Sequence, residues 1–300
     1  MNQRLNFTNA ALLVVPPLLW AGNAVVGRMV TDITPPVTLN FLRWLLAFLL
    51  LLPLAGWVLR AGSGLWTHWR RYAVLGLLGV GCYNSLQYLA LQTSTPVNVT
   101  LIAASTPVWM LLIGAIFFGQ RITARQVAGA VLSIAGVIVV LSRGDWEVLA
   151  SVRLVPGDLY VLVAAAAWAY YSWMLTRPAA DAPRIRTDWA AFLMAQVAMG
   201  LVWSAVFAAG EWAVTTPHIE WGWPLAVTLL YVAIGPSILA YRCWGLGVER
   251  VGPTLAGFFS NLTPLFAAVL SAGFLGELPH AYHAVAFVLI VGGIVVSSRR

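Results

Sequence analysis

Lysine is absent from this chain of 300 residues, and acids are scarce: ten Asp and Glu stand against seventeen basic residues, all of them Arg. Charged residues make up 9% of the sequence, where a soluble domain carries about 25%. A soluble fold of this length would have too few charges to cover its surface. The two cysteines, Cys82 and Cys243, both fall in apolar stretches, so no structural disulfide is expected. The net charge of +7 is no nucleic-acid footprint, because the arginines are dispersed between apolar segments and form no basic stripe. No cofactor or metal is expected. His280 and His283 form H-x-x-H with no further His or Cys close by, a poor metal set, and they read as an interfacial pair.

What the chain has is apolar length. Hydrophobic residues are 61% of the total, and they fall into ten segments at 8–30, 36–59, 72–92, 95–118, 121–142, 157–177, 187–209, 224–247, 252–275 and 280–298. Each is close to the ~20 residues that cross a bilayer as a helix, so the expected class is an all-α integral membrane protein. Met1 to Val30, with Arg4 and a long apolar run, is too long for a signal-peptide core and lacks a small-residue cleavage pattern after it; it reads as the first span.

Arginine positions orient these spans. With the N-terminus cytoplasmic, twelve arginines lie inside, only Arg28, Arg143 and Arg153 lie outside, and Arg43 and Arg242 fall within spans. That positive-inside bias predicts a multi-pass protein of the bacterial inner (plasma) membrane with both termini in the cytoplasm. Glu147, Glu211 and Glu220 beside Trp146, Trp212, Trp221 and Trp223 suit outer loops with an aromatic belt.

The second half of the chain echoes the first. Shifting 95–143 by 157 positions places Pro96 on Pro253, Thr106–Pro107 on Thr263–Pro264, Phe117 on Phe274, Gly119 on Gly276 and Gly136 on Gly293. Two repeats are expected, 1–143 and 157–300, joined by a periplasmic loop at 144–156. Five spans is an odd number, so the halves cross the membrane in opposite senses around a central cavity, the plan of many alternating-access carriers.

The paired segments TPVWMLLIGAIFFGQ and TPLFAAVLSAGFLGE, each followed by a Gly-containing apolar helix, resemble the repeat signature of EamA-type drug/metabolite transporters. The resemblance covers almost the whole chain. It implies ten spans, cytoplasmic termini and export of amino acids, nucleotide-related metabolites or drugs, with the bacterial aromatic amino-acid exporters among the similar members. One departure is Gln120, where the pattern usually has Glu, as Glu277 does in the second repeat.

A small-molecule substrate of such a carrier would bind near the midplane, beside interrupted helices. Polar or aromatic side chains at that depth are Trp20 and Asn23, then Asn84, Gln87 and Tyr88, then Ser105 and Thr106, Trp168 and Tyr171, Ser237 and Tyr241, and Ser260, Asn261 and Thr263. Trp20, Asn23, Asn84, Gln87, Tyr88, Trp168, Tyr171, Tyr241, Ser260 and Asn261 are the substrate-binding candidates. Pro16, Pro17, Pro107, Pro236 and Pro264 are the candidate hinges, where a missing N–H frees carbonyls. For any single residue, packing or helix-to-helix hydrogen bonding is an open alternative. Arg43 and Arg242 are the buried charges; a carboxylate-bearing solute is one partner for them, and a structural role is the favoured one, by snorkelling to an interface or, as the resemblance implies for Arg43, by bracing its helix.

No span has an acid or His at its centre, so an intramembrane enzyme lacks its groups, and catalytic residues are expected to be none. A channel-like facilitator is the other alternative, although no charged ring or carbonyl filter is present. Missing midplane acids also favour uncoupled export, or coupling without a central carboxylate, with Glu277 as the nearest candidate. Gly129 and Ser133 suit small-xxx-small packing against the tenth span or another protomer, and the chain is expected to be a monomer or weak homodimer.

Overall fold

The computed structural model describes residues 5–29, 33–90, 92–94, 96–216, 218–275 and 280–299. Among them there is no strand; the chain is a bundle of long helices. These are α1 (Phe7–Met29), α2 (Pro36–Leu59), α3 (Trp69–Ala90), α4 (Asn98–Phe118), α5 (Ala124–Ser142), α6 (Pro156–Met174), α7 (Trp189–Val214), α8 (Trp223–Val251), α9 (Pro253–Leu270 and the continuation to Leu275) and α10 (Ala281–Ser298). Among the described residues eight of them, α2 to α5 and α7 to α10, have both the length and the apolarity to cross a membrane. The expected count was ten. α1 and α6 have the length, 23 and 19 residues, but α6 carries Asp158 and several Trp and Tyr side chains, which lower its apolarity.

Local sequence explains the ends. α5 starts on a capping box in which the Gln126 N–H donates to Thr123 Oγ1 at 3.3 Å and the Thr123 N–H donates to Gln126 Oε1 at 2.9 Å. α4 stops at Gly119, whose φ of 67° suits a residue without Cβ. α2 follows Pro35–Pro36 and has no cap of its own. Glu211, in the last turns of α7, supplies it from outside: its carboxylate accepts from the Val37 N–H at 3.0 Å, the Thr38 N–H at 2.8 Å and the Thr38 hydroxyl at 2.7 Å. An anion over a helix N-terminus is favourable, so this acid belongs to the joint between α2 and α7.

Four long helices are irregular. α3 has a π turn at Leu77–Cys82 and α8 has one at Ala233–Leu239. α4 breaks between Ala103 and Thr106, and α9 breaks between Ser260 and Thr263. The two breaks are 157 positions apart, and the π turns very nearly so. α1, by contrast, runs through Pro16 and Pro17 as one α-helix, so the expected interruption there is absent. Tertiary packing holds those turns helical despite the missing donors.

Packing repeats in the same way. The largest interfaces are α5 with α10, α3 with α7, α2 with α7, α1 with α8, α3 with α6, α4 with α6, and α1 with α9. Exchanging first-half helices for their second-half counterparts maps these onto one another except α3 with α7, whose counterpart, α2 with α8, is a smaller contact. At the α5–α10 interface a Cβ on Gly129 would lie 2.7 Å from the Gly293 carbonyl oxygen, and one on Gly293 would lie 2.6 Å from that of Gly129. The small residues at 129 and 133 therefore serve contact within the chain.

Gly129→Leu should destabilise the protein by about 1–3 kcal/mol through overpacking, read as a lower melting temperature in detergent. Gly292→Ala, where nothing lies within 4 Å of the added carbon, should leave it within about 0.5 kcal/mol of the parent. Equal effects would contradict the backbone-to-backbone contact.

Candidate functional site

The two π turns face the centre of the bundle. A π turn shifts the hydrogen-bond ladder by one residue and leaves carbonyls for other donors. In α8, Pro236 contributes no N–H, and Ser237 Oγ donates to the Val232 carbonyl at 2.8 Å. The freed groups are then taken by side chains from distant helices. Tyr241 donates its hydroxyl to the Gly79 carbonyl, Asn40 Nδ2 donates to the Val80 carbonyl at 3.2 Å, and Trp20 Nε1 donates to the Pro236 carbonyl at 3.3 Å.

Around these turns the aromatic residues form one cluster centred on Trp168, which is 1% exposed. Its ring lies 5.3 Å from Trp20, 5.0 Å from Tyr171, 5.5 Å from Tyr241, 5.3 Å from Trp244 and 5.0 Å from Tyr83, centroid to centroid. Trp44 stands edge-on to Tyr241 at 5.0 Å. Each such pair adds about 0.5–1.5 kcal/mol beyond the area it buries. The polar tips are tied down as well: Tyr171 donates to Gln196 Oε1 at 2.9 Å, and Trp244 Nε1 donates to Ser172 Oγ at 3.1 Å.

The substrate-binding candidates separate into three groups. Trp20, Trp168, Tyr171 and Tyr241 meet in the cluster, and Asn23 joins its edge through Arg43, whose Nη1 donates to Asn23 Oδ1 at 3.4 Å. Asn84 is buried and Gln87 and Tyr88 are half-buried on later turns of α3; Tyr88 has no ring contact among the described residues. Ser260 and Asn261 lie at the α9 break, where Asn261 Nδ2 donates to the Ala104 carbonyl at 3.3 Å and to Ser133 Oγ at 2.9 Å. Ser105, Thr106 and Thr263 donate their hydroxyls to carbonyls three residues back. The hydroxyls of Ser105, Thr106 and Thr263 thus satisfy backbone at the breaks, whereas the buried Ser260 hydroxyl has no hydrogen-bond partner among the described residues. Pro107 and Pro264 sit in the first turn after each break, and Pro236 lies inside the π turn.

Of the two expected buried charges, Arg43 is buried and Arg242 is exposed. Arg43 does not snorkel to an interface; it is 1% exposed, its Nε donates to Ser237 Oγ at 3.0 Å, and no acid pairs with it among the described residues. Arg242 is not buried at all. It lies on the exposed side of α8 with its guanidinium 4.1 Å over the Trp189 ring, an arrangement that an apolar window of sequence cannot reveal. Glu277 lies outside the described residues. Sequence reasoning also passed over Tyr83, Trp44 and Trp244, although each is a neighbour or an i+3 partner of a residue it did single out.

A cavity of about 470 Å³ opens on the face that holds the start of α1 and the end of α10. Gln120, Gln126, Trp173, Arg186, Glu249 and Thr254 are among its walls, and the Trp173 indole is fixed by a 2.8 Å hydrogen bond to the Met110 carbonyl. Beside it runs an ion-pair chain. Arg71 Nε is 2.9 Å from Asp181 Oδ1, Arg186 Nη1 is 3.7 Å from Asp181 Oδ2, and Arg186 Nη2 is 3.3 Å from Glu249. A second cavity of about 290 Å³, lined by Thr93, Asn98, Ser151 and Arg153, lies on the opposite face. Next to it the Asp158 carboxylate accepts from Asn98 Nδ2 at 3.1 Å, from the Val155 N–H at 2.9 Å and from the Ser94 hydroxyl.

Asp181, with no exposed side-chain surface, joins two arginines from separate segments. Asp181→Ala leaves both without it and should destabilise the fold by about 3–5 kcal/mol, as breaking a buried pair does. Glu220→Ala, at an exposed acid, should change stability by less than about 0.5 kcal/mol. Thermal unfolding of the two purified variants checks this.

Comparison with known proteins adds three findings. The pattern of the EamA-like transporter family matches residues 8–142 and again 155–299. The chain is 31% identical over 244 residues, 80% of it and 78% of the relative, to the aromatic amino acid exporter YddG of Ancylobacter novellus. It is 25% identical over 296 residues, 99% of each chain, to an uncharacterized transporter of Archaeoglobus fulgidus, and 25% identical over 230 residues, 76% of it and 72% of the relative, to a probable terminal-alkyne amino-acid exporter of Streptantibioticus cattleyicolor. A solved crystal structure with 24% sequence identity superposes with a TM-score of 0.74, covering 97% of this chain and 96% of the other, so the fold is shared. With both halves matched along nearly their whole length, the chain belongs to the EamA-like transporter family.

Proposed function

We propose that this chain exports small amphipathic metabolites, amino acids foremost, across the bacterial inner membrane by alternating access. In this reading all ten long helices cross the bilayer, residues 1–143 and 157–300 form two inverted five-helix repeats, 144–156 is the periplasmic link, and the termini are cytoplasmic. The observation that carries it is the matched pair of irregularities, the π turns of α3 and α8 and the breaks of α4 and α9, set within packing most of which survives exchange of the halves. Inverted repeats with interrupted helices at the centre give a carrier two conformations related by swapping roles.

Several features agree with it. The 470 Å³ cavity is ample for an amino acid and faces the side that the arginine bias assigns to the cytoplasm. Substrate would enter there, move along the Trp20–Trp168–Tyr241 cluster, and leave on the side of Asp158 and Glu211. An aromatic passage with few fixed charges suits neutral amphipathic solutes. Relatives described as exporters of aromatic amino acids and of a terminal-alkyne amino acid favour that substrate class. The buried acids lie at helix ends, as Asp158 and Glu211 do, or between arginines, as Asp181 does, so the aromatic stretch of the passage offers no carboxylate to carry a proton among the described residues.

Reconstituted protein should show saturable counterflow of radiolabelled neutral amino acids. Flux that rises linearly with concentration would point to a pore, and no flux across a metabolite panel would sink the proposal. A second measurement follows the cavity directly. In a background with both native cysteines replaced, Thr254→Cys should react with a membrane-impermeant maleimide from the cytoplasmic side only. Its labelling should slow at least about threefold when substrate holds the carrier in another state. Labelling that substrate leaves unchanged would count against alternating access.

A further inference from the structure

The first half of α2 presents three polar side chains whose hydrogen-bonding capacity the described residues do not use up. Arg43 is 1% exposed and directs Nε and Nη1 to the neutral oxygens of Ser237 and Asn23; its Nη2 has no hydrogen bond among the described residues. Trp44 is fully buried and its Nε1 has no partner among the described residues, although the Arg43 guanidinium lies 5.3 Å from its ring centre. Asn40, also fully buried, donates through Nδ2 to the Val80 carbonyl and Ser85 Oγ, while its Oδ1 accepts from none of the described residues.

Buried polar groups are nearly always paired, because each orphan costs the full price of its desolvation. A buried cation without an anion is costlier still. Residues at i, i+3 and i+4 share one helix face, so the three groups converge on one patch, where α2 contacts the π turns of α3 and α8. A bracing role for Arg43 accounts for its bonds to Ser237 and Asn23, but for neither the free indole N–H nor the free amide oxygen. What the three offer together is a fork of cationic donors, a neutral donor beside it and an acceptor one turn away. That is the complement of an α-amino carboxylate.

We infer that Asn40, Arg43 and Trp44 form the recognition site for the main-chain end of a zwitterionic amino acid. The Arg43 guanidinium and the Trp44 indole N–H donate to the carboxylate, and Asn40 Oδ1 accepts from the ammonium. The solute's side chain then lies along the aromatic cluster through Tyr241, which stands edge-on to Trp44. The inference deepens the export reading and rests on it only in requiring that solute reach the bundle centre.

The test uses the purified full-length protein and two matched pairs, L-phenylalanine with L-phenylalaninamide and L-leucine with L-leucinamide. Binding is read by tryptophan fluorescence and by thermal shift, below pH ~7 where all four keep a protonated amine. The acids should bind at least about tenfold more tightly than their amides, since the amide cannot pair with the guanidinium. Arg43→Gln should erase that preference, and Trp44→Phe, which keeps a ring and loses the N–H, should reduce it severalfold. If Arg43→Gln fails to fold, the Trp44→Phe result decides. Equal binding of acid and amide by the parent protein, or a preference that survives in the folded variants, overturns the site. Flux in vesicles separates the two readings. Acid and amide carried with equal efficiency would leave the exporter standing and remove the carboxylate site. Acid-selective binding without any flux would do the opposite.

Discussion

A backbone carbonyl inside a membrane has no water to turn to, and the architecture of this protein follows from that constraint. Regular α-helix meets it for most of the bundle. The π turns and the breaks do not; at the π turns and the α4 break a side chain from elsewhere completes the hydrogen bonding, and at the α9 break Thr263 donates to the Ser260 carbonyl. Tyr241 from α8 reaches Gly79 in α3, Asn40 from α2 reaches Val80, and Trp20 from α1 reaches Pro236 in α8. Asn261 in α9 reaches Ala104 in α4, a partner 157 positions away. The irregular turns that supply movable elements are thus also where the helices are pinned to one another. A change of state must trade these donors for others while keeping every carbonyl paired.

Charge is placed by the same economy. Asp158 and Glu211 are buried, but each lies at a helix end where backbone N–H groups and hydroxyls surround the carboxylate. Asp181 is buried between Arg71 and Arg186 beside the larger cavity. Arg43 is the exception, a cation at the centre of the bundle with only neutral partners among the described residues. Aromatic rings fill the space around it, and their quadrupoles and fixed N–H and O–H groups make that centre polar without making it charged.

Much of this was legible in the linear chain. Long apolar runs placed α2 to α5 and α7 to α10 to within a few residues of their observed ends, because hydrophobic length is a one-dimensional property. Trp20, Trp168, Tyr171 and Tyr241 were visible as aromatic residues recurring at similar depth. The hydrogen-bond partners of Asn261, Ser105 and Thr263 were not legible. Whether a hydroxyl or amide faces a solute or a carbonyl depends on where the helix breaks, and breaks depend on neighbours. Arg242 shows the same limit from the other side: its flanking residues are apolar, yet it projects outward onto Trp189.

The sequence by itself therefore determined the membrane class, the repeat and the depth at which polar residues gather, since each rests on composition and spacing along the chain. Tertiary structure alone decided which of those residues meet. It joined α2 to both π turns, placed Glu211 over the start of α2, and left Asn40, Arg43 and Trp44 with unused hydrogen-bonding capacity. Burial and hydrogen-bond satisfaction are properties of what lies opposite a side chain, and in this bundle the opposite partner is usually more than a hundred residues away.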